Sequence, residues 1–76
     1  MLHVESSVLR FVQYDDEARE LDIAFTSGKI YRYRDVPAEI YDELLEAESK
    51  GGYFNGHIKD QYLHSEVKRR SGNLGR

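Results

Sequence analysis

Cysteine is absent from this 76-residue chain, which excludes disulfide bridges, thiolate catalysis and cysteine-ligated zinc. With no disulfide to protect, a cytoplasmic setting is the default expectation. No apolar run approaches the length of a membrane span. The opening stretch MLHVESSVLRF lacks a basic start followed by an apolar segment, so no signal peptide is expected. Internal repeats and linkers are missing as well. At 8.9 kDa the chain has surface enough to bury one small core and no second domain. Gly-rich phosphate loops, nucleophile elbows and metalloprotease helices are all lacking.

What the chain does contain is aromatic residues and segregated charge. Six tyrosines and three phenylalanines are too many for a typical disordered chain. The net charge is −3, yet residues 1–36 sum to −2, residues 37–49 to −5 and residues 50–76 to +4. That asymmetry keeps a polyanion partner open at the C-terminal end, although acids and bases that merely solvate different faces would give the same pattern.

Periodicity predicts an α+β fold of order β-β-β-α-α. Val8 to Tyr14 is apolar and β-branched enough for a strand. Glu20 to Phe25 alternates, with Leu21, Ile23 and Phe25 on one face. A third strand covers Lys29 to Arg34. A two-residue loop before it would place arginines on the apolar face. A three-residue loop with Gly28 in the left-handed position instead pairs Ile23 with Tyr31 and Leu21 with Tyr33. The second arrangement is expected, with Arg32 and Arg34 on one face and Lys29 on the other. The three strands form an antiparallel meander whose third strand is an edge.

Pro37 suits a first helical turn, and Ile40, Leu44 and Ala47 recur at helical spacing up to Glu48. Glu39, Asp42, Glu43 and Glu46 form the outer face of that helix. Ser49-Lys50-Gly51-Gly52 breaks it, and Ser49 can cap the next helix. Phe54, Ile58 and Tyr62 predict that second helix from about Gly52 to His64. Both helices are expected to pack on one face of the meander. The single domain is expected over residues 1–67, with residues 68–76 as a frayed basic tail.

Several segments, taken together in their order and spacing, resemble the KTSC domain. This short module is named for its place at the C-terminus of some lysyl-tRNA synthetases and also stands alone in bacteria and phages. The segments are Ser6-Ser7, Tyr14-Asp15, Leu21 to Phe25, Ser27-Gly28, Tyr31-Arg32-Tyr33, Val36-Pro37 and Ser49 to Asn55, with Ile58 and Tyr62 beyond. Gln13, where the family has glycine, and Lys59, where it has arginine, depart from the pattern. The resemblance implies RNA binding, by association with the synthetase.

Few residues meet the requirements of catalysis or metal binding. Ser6 and Ser7 are far in sequence from any His–acid pair, so hydrogen bonding at a strand start is their expected role. The carboxylates of the first helix lie on an exposed face, with nothing to shift them toward acid–base work. His57 and His64, two helical turns apart, would be separated by roughly 10 Å, too far for one ion. No catalytic residue, metal site or cofactor is therefore expected. Tyr31, Tyr33, Tyr53, Phe54 and Tyr62 are either core or a stacking surface for bases, with Tyr53 the best placed for exposure. Arg32 and Arg34 either protect an edge, pair with acids such as Asp22, or contact phosphate. Asn55, His57 and Lys59 mark an anion site on the second helix, unless Asn55 only caps locally. The candidate RNA site is thus Arg32, Arg34, Tyr53, Asn55, His57 and Lys59, in a small non-catalytic module. The competing class is a protein-interaction module, a homodimer included, acting through an edge strand or the acidic helix.

Overall fold

The computed structural model describes residues 2–3 and 6–68. Its elements are β1 (Leu2–His3), β2 (Leu9–Asp15), β3 (Glu20–Phe25), β4 (Ile30–Tyr33), α1 (Ala38–Glu46), α2 (Lys50–His57) and β5 (His64–Glu66). The five strands form one antiparallel sheet in the order β1-β2-β3-β4-β5. The expected strand–strand–strand–helix–helix order holds, with a short strand added at each end. The expected tail beyond Lys68 lies outside the described residues.

The β3–β4 hairpin closes as the alternation requires. Phe25 and Lys29 bracket a three-residue loop, the Phe25 N–H donating to the Lys29 carbonyl at 2.8 Å. Gly28 sits at φ 99°, a region open to glycine and costly for other residues. Ile23 then faces Tyr31, and Leu21 faces Tyr33. On β2 the register shifts between Leu9 and Phe11, a bulge around Arg10. Strict alternation would send Leu9 and Val12 to opposite faces, but the extra residue lets both point inward.

The core consists of Leu9, Val12, Leu21, Ile23, Tyr33, Val36, Leu44, Phe54 and Ile58. Leu44 from α1 and Phe54 from α2 close it over the sheet. Each fully buried aliphatic contributes roughly 1.5–3 kcal/mol relative to exposure. Tyr14 fixes the chain between β4 and α1: its hydroxyl donates to the Val36 carbonyl at 2.5 Å, and its ring stacks on Tyr41 at 5.2 Å.

Three local expectations are corrected. Pro37 occupies the N-cap of α1 with extended backbone, one position ahead of the first turn. The second helix starts earlier and stops much earlier than its spacing suggested. Ser49 caps it as expected, its Oγ accepting the Gly52 N–H at 3.1 Å. The helix then closes at Ile58. The N–H groups of Ile58 and Lys59 both donate to the Phe54 carbonyl, and Asp60 reverses the chain at φ 66°. Tyr62 still packs against the core, but from a turn. Three apolar residues at i, i+4 and i+8 could not distinguish those routes.

The early stop frees His64–Glu66 to pair with β4. β4 is therefore an interior strand rather than the expected edge, and β5 takes the sheet edge in its place. Among the described residues, no helix is long and apolar enough to cross a membrane.

Two substitutions probe this framework by urea denaturation. Ile58→Ala, at a side chain with no exposed surface, is expected to cost about 2–5 kcal/mol. Gly28→Ala meets no atom within 4 Å of the new Cβ, so backbone strain alone should cost about 1–2 kcal/mol. A Gly28→Ala variant as stable as the parent would contradict the hairpin geometry.

Candidate nucleic-acid interface

The sheet face away from the helices carries Arg32 and Arg34. The hairpin register sets Arg32 opposite Asp22, and the two side chains meet in a bidentate pair. Arg32 Nε donates to Oδ1 at 2.9 Å and a terminal nitrogen donates to Oδ2 at 3.0 Å. Glu20 adds a carboxylate oxygen 3.5 Å from Arg32 Nε. Hydrogen bonding to Asp22, reinforced by its charge, raises the guanidinium pKa further above its ordinary value. Arg34 lies 3.9 Å from Glu20 and donates to Ser65 Oγ at 3.0 Å. Asp22 is only 9% exposed. Of the roles open to these arginines, the structure realises pairing with acids.

Helix α2 and the turn after it distribute four candidates, Tyr53, Asn55, His57 and Lys59, over two sides. Tyr53 and His57 are one turn apart and stack at 4.3 Å with an interplanar angle of 20°. The Tyr53 hydroxyl donates to Glu43 Oε1 at 2.6 Å, tying α2 to α1. Desolvation, and then this hydrogen bond to a carboxylate, push the Tyr53 phenol up to about 12. Tyr53 is half-buried, less open than expected. Asn55 and Lys59 point elsewhere, toward the β3–β4 hairpin. The six sequence candidates thus occupy three places, and only Asn55 and Lys59 share a cleft.

That cleft has a volume of about 480 Å³. Five rings line it in a closed cycle. Phe25 meets Tyr31 at 5.8 Å, Tyr31 meets His64 at 5.6 Å, and His64 stacks on Tyr33 at 5.1 Å. Tyr33 meets Phe54 at 5.7 Å, and Phe54 returns to Phe25 at 5.3 Å. Burial pushes the Tyr33 phenol up to about 12, helped by the charges of Tyr31 and Asp60. Lys29, Lys59 and Asp60 supply the charged lining. Among the described residues, neither lysine has an acidic group within ion-pair distance.

Sequence reasoning set core and stacking surface as alternatives for Tyr31, Tyr33 and Phe54; Tyr33 and Phe54 belong to the core, Tyr31 packs against it, and all three line the cleft. Strand parity had already set Lys29 on the face of Tyr31 and Tyr33. His64 could join only through β5, which no sequence signal announced.

A smaller cleft of about 350 Å³ adjoins the first through Val8 and Asn55, and brings Ser6-Ser7 beside Ser49–Gly52. Ser6 Oγ accepts the N–H groups of Val8 and Leu9 at 3.1 and 3.2 Å, the expected role at a strand start. Among the described residues, no group of three or more histidine or acidic side chains is arranged to hold a metal ion.

Comparison with known proteins gives a consistent result. The KTSC domain model matches residues 5–62. An uncharacterized protein from Stutzerimonas stutzeri is 46% identical over 59 residues, covering 78% of this chain and 83% of its own length. A lysine–tRNA ligase from Nostoc sp. is 36% identical over 67 residues, or 88% of this chain but 12% of the ligase. The crystal structure of a KTSC domain protein from Yersinia pestis superposes with a TM-score of 0.84 at 34% identity, covering 88% of this chain and 94% of that one.

Two outcomes are expected from these geometries. Arg32→Ala strands the buried Asp22 carboxylate and should cost about 1–3 kcal/mol in urea unfolding. Arg32→Ala/Asp22→Ala should cost less than the single change, and equal losses would deny the pairing. In an alkaline titration followed by phenolate absorbance, Tyr33 and Tyr53 should ionise late, near 12. Their folded-state pKa lies above the ordinary value of 10, so the stability they contribute is intact below pH 10 and is lost between 10 and 12. Tyr53→Phe should remove part of the late absorbance step.

Proposed function

The chain belongs to the KTSC domain family, and from that premise we propose that it is a small, non-catalytic RNA-binding accessory module acting in the cytoplasm. The observation that carries this reading is the aromatic cleft with Lys29 and Lys59 beside it. Rings provide surfaces for bases, and lysines free of acidic partners attract a phosphate backbone. The order of the chain strengthens the attraction. The Val67 N–H donates to the Ile30 carbonyl at 2.7 Å, and continuing that register brings Lys68, whose Nζ lies 3.8 Å from Glu66 Oε1 and is largely exposed, alongside Lys29. Arg69 and Arg70 follow directly in the sequence. A related segment within lysine–tRNA ligases is consistent with a role beside RNA. The proposed binding surface includes Asn55 and Lys59; it leaves out Arg32 and Arg34, whose charges are answered within the protein, and Tyr53 and His57, which stack on each other outside the cleft.

The non-catalytic part of the proposal rests on the side chains present. Ser6 Oγ and Ser49 Oγ both serve as acceptors for backbone N–H groups. The competing reading, a protein-interaction module, draws on β5, whose three residues are exposed at the end of the strand order.

An RNA titration at several salt concentrations separates the two. RNA binding should weaken steeply with salt, and Lys29→Ala/Lys59→Ala should flatten the salt slope by about two. Arg34→Ala should leave the slope nearly unchanged. Absence of binding at low salt would sink the RNA reading in favour of strand pairing, as would a salt-independent association.

A further inference from the structure

We propose that the aromatic cleft receives one unpaired nucleotide, its base stacked on His64 and its phosphate held by Lys29 and Lys59. This rests on the RNA-binding reading and narrows it to single-stranded RNA, recognised through a splayed-out base.

His64 is the platform. One face of its imidazole lies on Tyr33 at 5.1 Å with a 30° tilt. Tyr31 stands edge-on to it at 5.6 Å and 77°, forming a wall beside the stack. Tyr33 is buried, so it cannot itself meet a base, but it holds the imidazole from behind. His64 is exposed and lines the cleft, so its ring is within reach of a ligand there. A flat aromatic group is the occupant that such a surface suits.

Charge and hydrogen bonding select the kind of flat group. Lys29 and Lys59 reach the cleft from different elements, the hairpin and the end of α2, against a single acid, Asp60. The local excess is positive although the whole chain is negative. The Asn55 amide has no protein hydrogen-bond partner among the described residues, and it supplies both a donor and an acceptor to a base edge. An uncharged aromatic metabolite would leave the lysines without a role. In a duplex, a base has no exposed ring face to offer, and extrusion would carry an unpairing cost.

The test is an amide-shift NMR titration of the full chain with uridine and adenosine 5′-monophosphate. It is repeated with a single strand of about eight nucleotides, a fully paired hairpin and inorganic phosphate. Monophosphates should perturb residues of the hairpin, the end of α2 and β5, and the single strand should outcompete the paired hairpin. His64→Ala should weaken monophosphate and single strand alike, about 5- to 150-fold, the range for loss of one base stack. His57→Ala, which removes a ring stacked on the other side of α2, should change neither. His64 is exposed, so its variant should fold; Tyr31→Leu provides a second removal of cleft aromatic surface.

Equal binding of paired hairpin and single strand would overturn the nucleotide site while leaving RNA binding standing. So would single-strand binding that His64→Ala does not alter. The same shifts with inorganic phosphate alone would also overturn it. Monophosphate binding without any RNA binding would uphold the site and remove the RNA function. Silence toward every probe at low salt would remove both.

Discussion

Gly28 adopts φ 99°, and with three residues between Phe25 and Lys29 the hairpin can close in one register only. That register allocates every side chain of the two central strands. Leu21, Ile23, Tyr31 and Tyr33 go to the helix side, and Asp22 and Arg32 go to the other. A shift of one residue would reverse the allocation, bury arginines and expose the rings. The core, the aromatic cleft and the ion pair on the far face therefore share one geometric origin.

The same register changes what the arginines can do. Viewed along the strand, Arg32 and Arg34 look like a cationic stripe. Across the sheet, Asp22 lies directly opposite, and Glu20 lies close to both guanidinium groups. A guanidinium that gives two of its five N–H donors to a carboxylate, and has its charge matched there, attracts a phosphate less strongly than a free one. Lys29 has the other parity and escapes those acids. It meets Lys59 at a cleft that neither strand nor helix forms alone.

The end of α2 decides the rest. Asp60 accepts the left-handed conformation that stops the helix, as aspartate does more readily than most residues. The chain then returns along β4 and places His64 on Tyr33. Had the helix continued to His64, β4 would have remained an edge and the ring cycle would have stayed open.

Features that depend on neighbours along the chain were legible before folding. The three main strands follow from alternation and the hairpin loop from Gly28. The first helix follows from Ile40 and Leu44, and the start of the second from the Ser49 cap. The family was legible too, because its segments are spread over most of the chain in order. Features with distant partners, or with balanced local signals, took shape only in the folded chain. The bulge at Arg10 arises because Leu9 and Val12 must both reach the core. β1 and β5 are too short to announce themselves and exist because β2 and β4 offer them open edges. Asp22 was one of several possible partners for Arg32 until the sheet set them face to face. The candidate site was half legible: Asn55, Lys59 and the aromatics were named, but their meeting with Lys29 and His64 required the fold. Periodicity records which face a residue belongs to, whereas a cleft depends on which faces are brought together.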